Sequence, residues 1–339
     1  MPDARNNGID AVITWVDGAD PAHQQRLASF LAEQGGGRPT TASPTRFNDA
    51  GEIEYCVASI FRFAPWFRRI HIVTDGQKPA LLQKLEGTPY AGRVSIVDHR
   101  EVFAGFEQHL PTFNSRSIIS VLWRIPGLAE NFVYFNDDMM LLRPVHADDF
   151  FRGGKIVLRG KWLAQSTHRL TRRLATRLKK ALGRKQGRVG NLDSQERSAQ
   201  LAGFDREFYR LYHNPYPMRV SVLRDFFAAR PELLARNVGY RLRSNDQFKT
   251  ECLATHLEIA RGDALLDNRL QTVQLKPGPQ SRTRMRLKMW LADRDPRKAF
   301  VCAQSIETAS PQAQADIVAW LDRRVGRLDQ WLAVKATHS

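Results

Sequence analysis

The stretch Phe132-Val133-Tyr134-Phe135-Asn136-Asp137-Asp138-Met139-Met140-Leu141-Leu142-Arg143-Pro144 decides how this chain is read. A short apolar run delivers two adjacent acidic residues and then turns apolar again, the pattern of a buried strand ending in a turn. Carboxylates paired at a strand end suit a divalent cation. Mg²⁺ and Mn²⁺ take hard oxygen ligands, and Mg²⁺ is commonly held by one or two carboxylates while substrate phosphates and waters fill the remaining positions. Asp137 and Asp138 are therefore candidate ligands for Mg²⁺ or Mn²⁺, and nucleotide chemistry is the first reading to test. An exposed acidic turn would need no ion, so the rest of the chain has to decide.

Three other segments repeat the pattern. Ile9 to Val16 ends in Asp17-Gly18, Ile70 to Thr74 in Asp75-Gly76, and Val94 to Val97 in Asp98-His99. Between them, Gln24 to Glu33, Glu52 to Phe63, Ala80 to Leu85 and Ser115 to Trp123 carry apolar residues at helical spacing. Alternating strand and helix predicts an α/β fold with a mostly parallel, Rossmann-like sheet, and ligands in such sheets bind outside the carboxyl ends of the strands. All four acidic turns are expected at that edge.

With 339 residues, 42% of them hydrophobic, the chain can bury a core of ordinary proportions. No charged-then-apolar leader opens it, and no run of about eighteen apolar residues could span a bilayer, so a cytoplasmic location is expected. Cys56, Cys252 and Cys302 are far apart and odd in number, which speaks against a disulfide framework or a zinc cluster.

The formal charge of +16 implies an anionic partner. Arg159, Lys161, Arg169, Arg172, Arg173, Arg177, Lys179, Lys180, Arg184, Lys185 and Arg188 fall in a span without Asp or Glu, with leucines at 170, 174, 178 and 182. That spacing predicts a basic amphipathic helix suited to an anionic membrane surface or a polyanion, unless its leucine stripe simply packs on the body. Nucleic acid is not expected, because there is no zinc-finger spacing or RNA-binding aromatic signature. Gly35 to Pro44 reads as a flexible loop over the site, and Arg184 to Gly190 as a hinge. Ser310-Pro311 opens a capped amphipathic helix with apolar residues at Ile317, Val318, Leu321, Val325, Leu328 and Leu332, whose apolar face packs on the body.

Ile9-Asp10-Ala11-Val12-Ile13-Thr14-Trp15-Val16-Asp17-Gly18 resembles the first signature region of the Stealth family of sugar-phosphate transferases. The second region is matched from Arg46-Phe47-Asn48-Asp49 through Tyr55, Ala64-Pro65-Trp66, Ile72-Val73-Thr74-Asp75-Gly76-Gln77, Leu110-Pro111-Thr112-Phe113-Asn114-Ser115 and Ile125-Pro126-Gly127-Leu128 to Tyr134-Phe135-Asn136-Asp137-Asp138. The third is matched by His213-Asn214-Pro215 and Arg243-Ser244-Asn245-Asp246. The fourth region departs: an Asn-Asp pair usually follows its Phe-x-Cys, whereas Phe300-Val301-Cys302 continues as Ala303-Gln304-Ser305, and Gln304 can hydrogen-bond but brings no negative charge.

The resemblance implies a nucleotide-sugar transferase type of sheet with helical additions. Residues 1–158 would form the nucleotide-sugar-binding core, 159–190 the basic insertion, 191–305 the acceptor and catalytic completion of the same domain, and 306–339 the carboxyl-terminal helix. It also implies transfer of a sugar 1-phosphate from a UDP-sugar donor to a saccharide acceptor hydroxyl, releasing UMP, in capsule or envelope polysaccharide synthesis. Asp137 and Asp138 would hold the ion, Asp17 would lie near the nucleotide, and Arg243 would fork onto phosphate oxygens. His213 would take the acceptor proton, as an imidazole titrating near neutrality can. Asp246 would complete the catalytic group, and Asn114, Arg116, Asn136 and Asn245 would bind substrate. Two other readings stand beside this one: a metal-dependent glycosyltransferase releasing UDP, and a basic surface-binding protein without catalysis, which would have no need of Asp137 and Asp138.

Overall fold

The structure is a computed structural model that describes residues 8–37, 51–168, 191–277 and 280–336, together with Pro39, Ala42 and Phe47. The central sheet holds β1 (Ile9–Thr14), β2 (Ile70–Thr74), β3 (Val94–Asp98) and β4 (Asn131–Asn136). These run parallel in the order β3, β2, β1, β4, with Ile13 facing Ile72 on one side and Phe135 on the other. The expected parallel α/β sheet is present, and its carboxyl edge carries all four acidic turns.

Beyond β4 the chain forms β5 (Met139–Leu141), then β6 (Phe151–Arg152), β7 (Lys155–Leu158) and β8 (Gly160–Ala164). Later come β9 (Glu207–Leu211), β10 (Tyr216–Arg219), β11 (Ala264–Leu266), β12 (Gln271–Leu275) and β13 (Lys298–Ala303). Two of these carry site residues. β10 runs antiparallel to β4 at the sheet edge, setting Tyr216 opposite Tyr134. β13 pairs antiparallel with β5, setting Cys302 opposite Met139, and the Ala303 amide donates to the Asp138 carbonyl at 3.0 Å. The tail of the chain is thereby tied to the residue directly after the acidic pair.

Burying Asp10 inside β1 requires partners, since an unpaired buried carboxylate is very costly. Arg68 forks onto it at 2.9 and 2.6 Å, His71 lies 3.2 Å away and the Ala129 amide donates at 2.9 Å. Burial alone would raise its pKa; the His71, Arg68 and Ala129 contacts overcome that and hold it at about 2. This network joins β1, β2 and the segment entering β4.

The helices Glu52–Phe63 and Ser115–Ile119 fall where periodicity places them. The tail differs from the single helix expected over 306–339. Pro311–Arg324 and Leu328–Ala336 are separate helices, broken at Gly326, whose φ of 79° lies in the left-handed region that glycine adopts without strain. Their apolar faces do pack on the body: Ile317 and Leu328 are fully buried and Trp331 stacks on Phe61. The expected basic helix lies outside the described residues from Arg169 onward. Its first part is strand instead: Arg159 is buried against the rings of Phe150 and Phe300, and Lys161 lies in β8. Of the Gly35 to Pro44 loop, Ala42 is buried in a small apolar cluster with Leu27, Phe30, Phe47 and Phe113.

Candidate functional site at the carboxyl edge of the sheet

A cavity of about 1190 Å³ opens at the carboxyl ends of the strands. Its walls come from the end of β1 (Thr14, Trp15, Val16), the turns after β2 and β3 (Asp75, His99), the end of β4 (Asn136, Asp137, Asp138), and the segments at 112–116, 243–251 and 304–307. The sheet topology therefore gathers residues far apart in sequence onto one surface.

The β4 end holds most of the titratable chemistry. Asp137 Oδ1 accepts from the Asp138 amide at 3.1 Å, and Asp138 Oδ2 accepts from the Cys302 thiol at 3.3 Å. Asp138 Oδ1 is shielded from solvent and has no hydrogen-bond partner among the described residues. Burial raises the Asp138 pKa to about 6, although Cys302, Gln304 and Lys276 each oppose the rise. His213 sits between two partners: Gln304 Nε2 lies 3.1 Å from its Nε2, and the Tyr216 hydroxyl lies 3.1 Å from its Nδ1. Burial, reinforced by the charges of Lys249 and Lys276, lowers its pKa to about 3. The expectation that it titrates near neutrality is corrected by that desolvation and those two cations.

Asp138, His213 and Cys302 present ligand atoms within 4.8 Å of one another. An orphaned carboxylate oxygen beside a second carboxylate fits a divalent cation. The hard donors are Asp137 and Asp138, whereas the sulfur of Cys302 is a soft donor that Mg²⁺ does not take. All three cysteines are free thiols.

The remaining expected residues divide into two groups. Asn114 is fully buried and already engaged: its Oδ1 accepts from the Arg116 amide, capping Ser115–Ile119, and its Nδ2 donates to the Tyr240 carbonyl and to Gln247 Oε1. Arg116 donates to the Ser244 carbonyl at 3.0 Å and Arg243 to Ser115 Oγ at 2.7 Å. These bonds fasten the segment around 114–116 to the 240–247 loop, leaving Arg243, Asn245 and Asp246 exposed on the cavity rim. Asn136 accepts from the Tyr134 hydroxyl at 2.5 Å, and that hydroxyl lies 3.0 Å from Thr14 Oγ1.

Asp17 stands apart. Its Oδ1 accepts from the Ala19 amide at 2.8 Å, Gln77 bonds its amide and carbonyl, and it is not among the lining residues. Its side chain shapes the turn that follows β1. Asp98 likewise caps the helix His99–Val102 in a reciprocal capping box with Glu101.

The β2–β3 end has different chemistry. His23 and His99 are 3% and 4% exposed, and neither ring makes a hydrogen bond among the described residues. Burial lowers both pKa values, that of His99 to about 4, so both rings are neutral near pH 7. The rings of Phe47 and Phe113 lie 5.4 and 5.5 Å from His23, and Asp75 pairs with Arg26 at 3.0 Å. Sequence patterns gave no role to His23, His99, Lys249 or Lys276, because none shows a spacing to the acidic turns. Cys302 and Gln304 were visible only through the departure in the fourth region.

Fold and site together define an α/β protein with a paired-carboxylate cleft at the carboxyl edge of a mostly parallel sheet. Residues 8–35 match Stealth protein conserved region 1 and residues 46–158 match conserved region 2, so the chain carries two conserved regions of the Stealth proteins. A capsular polysaccharide phosphotransferase of Aeromonas hydrophila is 34% identical over 246 residues, covering 71% of this chain and 62% of that protein. An exopolysaccharide phosphotransferase of Streptomyces coelicolor is 49% identical over 143 residues, covering 42% of this chain and 25% of that protein. The chain thus spans less than two thirds of the length of either relative. A solved galactosyltransferase, LgtC in complex with donor and acceptor sugar analogs, aligns over 96% of this chain and 99% of its own at 12% identity. The TM-score of that alignment is 0.43.

Proposed function

We propose that this chain transfers a sugar 1-phosphate from a UDP-sugar to a saccharide hydroxyl, in the assembly of a capsular or other envelope polysaccharide. The observation that carries the reading is the meeting, in one cavity, of the Asp137–Asp138 pair with His213 and the cation Lys249, with Lys276 close enough for its charge to act on His213. The names of the relatives support the same class of reaction. Phosphoryl transfer asks a protein mainly for positioning and charge neutralisation, and this inventory supplies both.

The acceptor oxygen forms a bond to the sugar-linked phosphorus, the bond from that phosphorus to the UMP oxygen breaks, and UMP leaves. The sugar keeps its anomeric bond. The acceptor proton passes to His213. A divalent cation, Mg²⁺ or Mn²⁺, held by Asp137 and Asp138 would neutralise diphosphate charge. Because an amide nitrogen can only donate, Gln304 marks His213 Nε2 as the lone-pair nitrogen and Nδ1–H as the donor to Tyr216. The acceptor hydroxyl takes the place of that amide. An incoming diphosphate offsets the charges of Lys249 and Lys276, and so makes the imidazole a stronger base when substrate is bound. Arg243 on the rim and Arg116 beside it would meet phosphate oxygens, with Asn245 and Asp246 near them. The neutral histidines and aromatic rings at the other end suit an uncharged planar group such as the donor base. Phosphorus NMR of the product tests the reading: a phosphodiester resonance on the acceptor supports it, and an unphosphorylated glycoside overturns it.

A further inference from the structure

Of the five exposed large apolar side chains among the described residues, three lie on one helix. In Arg282–Arg294, Met285, Met289 and Ala292 face the body and are buried, while Leu287, Trp290 and Leu291 are 55%, 49% and 45% exposed. Arg284, Leu287, Leu291 and Arg294 fall on one stripe at helical spacing, and Arg286 sits one turn before Trp290. The Arg294 guanidinium lies 4.0 Å above the Trp290 ring. The one acidic residue of the helix, Asp293, is engaged elsewhere, accepting from Trp320 Nε1 at 3.0 Å and pairing with Arg324 at 3.2 Å.

We propose that this outward face is a docking surface for an anionic lipid bilayer. An apolar trio containing tryptophan and rimmed by arginines is what an interface-lying helix presents: the rings and leucines enter the headgroup–acyl boundary, and the arginines reach back to lipid phosphates. A stripe of this size facing water is unfavourable for a protein alone. The charge selects the partner, since the rim is cationic and the whole chain carries +16. The same helix is tied to the site, because Lys288 Nζ donates at 2.6 Å to the Gln274 carbonyl in β12, two residues before Lys276.

Vesicle co-sedimentation tests the proposal, with the full chain, vesicles of phosphatidylglycerol and phosphatidylethanolamine, and vesicles of phosphatidylcholine alone. The protein should sediment with the anionic vesicles and be released by salt. The variant Leu287→Ser, Trp290→Ser, Leu291→Ser should lose at least roughly tenfold in partition, as should Arg284→Gln, Arg286→Gln, Arg294→Gln. These side chains are exposed, so an unchanged circular dichroism spectrum and unfolding midpoint should confirm that the variants fold. If the serine variant sediments as the parent does, the proposal is wrong. It is equally wrong if the parent is a dimer that the serine variant dissolves, because the face then belongs to a second copy of the chain.

Discussion

Gln304 Nε2 lies 3.1 Å from His213 Nε2. Gln304, in the segment where the resemblance implies an Asn-Asp pair, thus touches the imidazole that lies beside Asp138. An amide donating to the lone pair of a base stabilises its neutral form, so Gln304 acts together with Lys249 and Lys276 to keep His213 unprotonated.

For that pair, we expect His213→Ala to lower kcat by roughly 10²-fold or more, with donor affinity little changed. Gln304→Ala should keep turnover within a few-fold. It removes a contact that favours neutral imidazole, so the pKa of His213 rises and the acid limb of kcat/KM moves to higher pH. A rate profile against pH checks this; an acid limb that moves to lower pH contradicts it.

Asp137→Asn and Asp138→Asn should each abolish turnover while leaving the fold intact. Loss of one cation-facing carboxylate removes charge where phosphates need neutralising, worth several kcal/mol in the barrier. Titration calorimetry with Mn²⁺ alone should show weakened binding in both variants, and parent-like activity in both would remove the pair from the mechanism.

Asp10→Ala should destabilise the protein by about 3–5 kcal/mol, because Arg68 and His71 lose their shared buried partner. Equilibrium urea unfolding measures it. A loss below about 1 kcal/mol would mean that the network tying β1 to β2 is not a determinant of stability.

The buried histidines set an acid limit. His256 is fully buried, its Nε2 accepts from the Tyr209 amide at 2.9 Å, and burial lowers its pKa to about 4. With the folded value below the unfolded one of about 6.5, the unfolded chain binds the proton first as pH falls. The contribution of His256 is therefore complete above about pH 6.5 and is lost towards about pH 4. Glu258, raised to about 7 by burial, pushes the other way, so the test is differential. The stability deficit of His256→Gln, measured by unfolding, should be smaller near pH 4.5 than near pH 7.5, by about 1 kcal/mol or more. A deficit that grows on acidification contradicts the assignment.

Much of the sheet was legible because its signals are local. β1 to β4 are apolar runs punctuated by acidic turns, and parallel order alone puts Asp75, Asp137 and Asp138 at one edge. What those turns do was less legible, since Asp17 and Asp98 have the same side chain and position, yet spend it on the backbone amides of Ala19 and Arg100, two residues on. The other walls come from distant segments. Lys249 reaches the cavity through the loop before Thr250–Ala260, Cys302 is brought to Asp138 by the pairing of β13 with β5, and Lys276 directly follows β12; no spacing in the sequence encodes that approach. His23 and His99 look like ordinary core histidines until the cavity is seen against them. At the tail, leucine periodicity ran straight through Gly326 although the backbone does not.

The central claim is that the bond broken lies between the two phosphorus atoms of the donor and not at the sugar. It is tested most directly by supplying a UDP-sugar labelled at the sugar-linked phosphorus, together with Mg²⁺ or Mn²⁺ and a saccharide acceptor, and following the label. We expect labelled phosphorus in the acceptor product and unlabelled UMP in solution. Label recovered as UDP, with none in the product, would contradict the account.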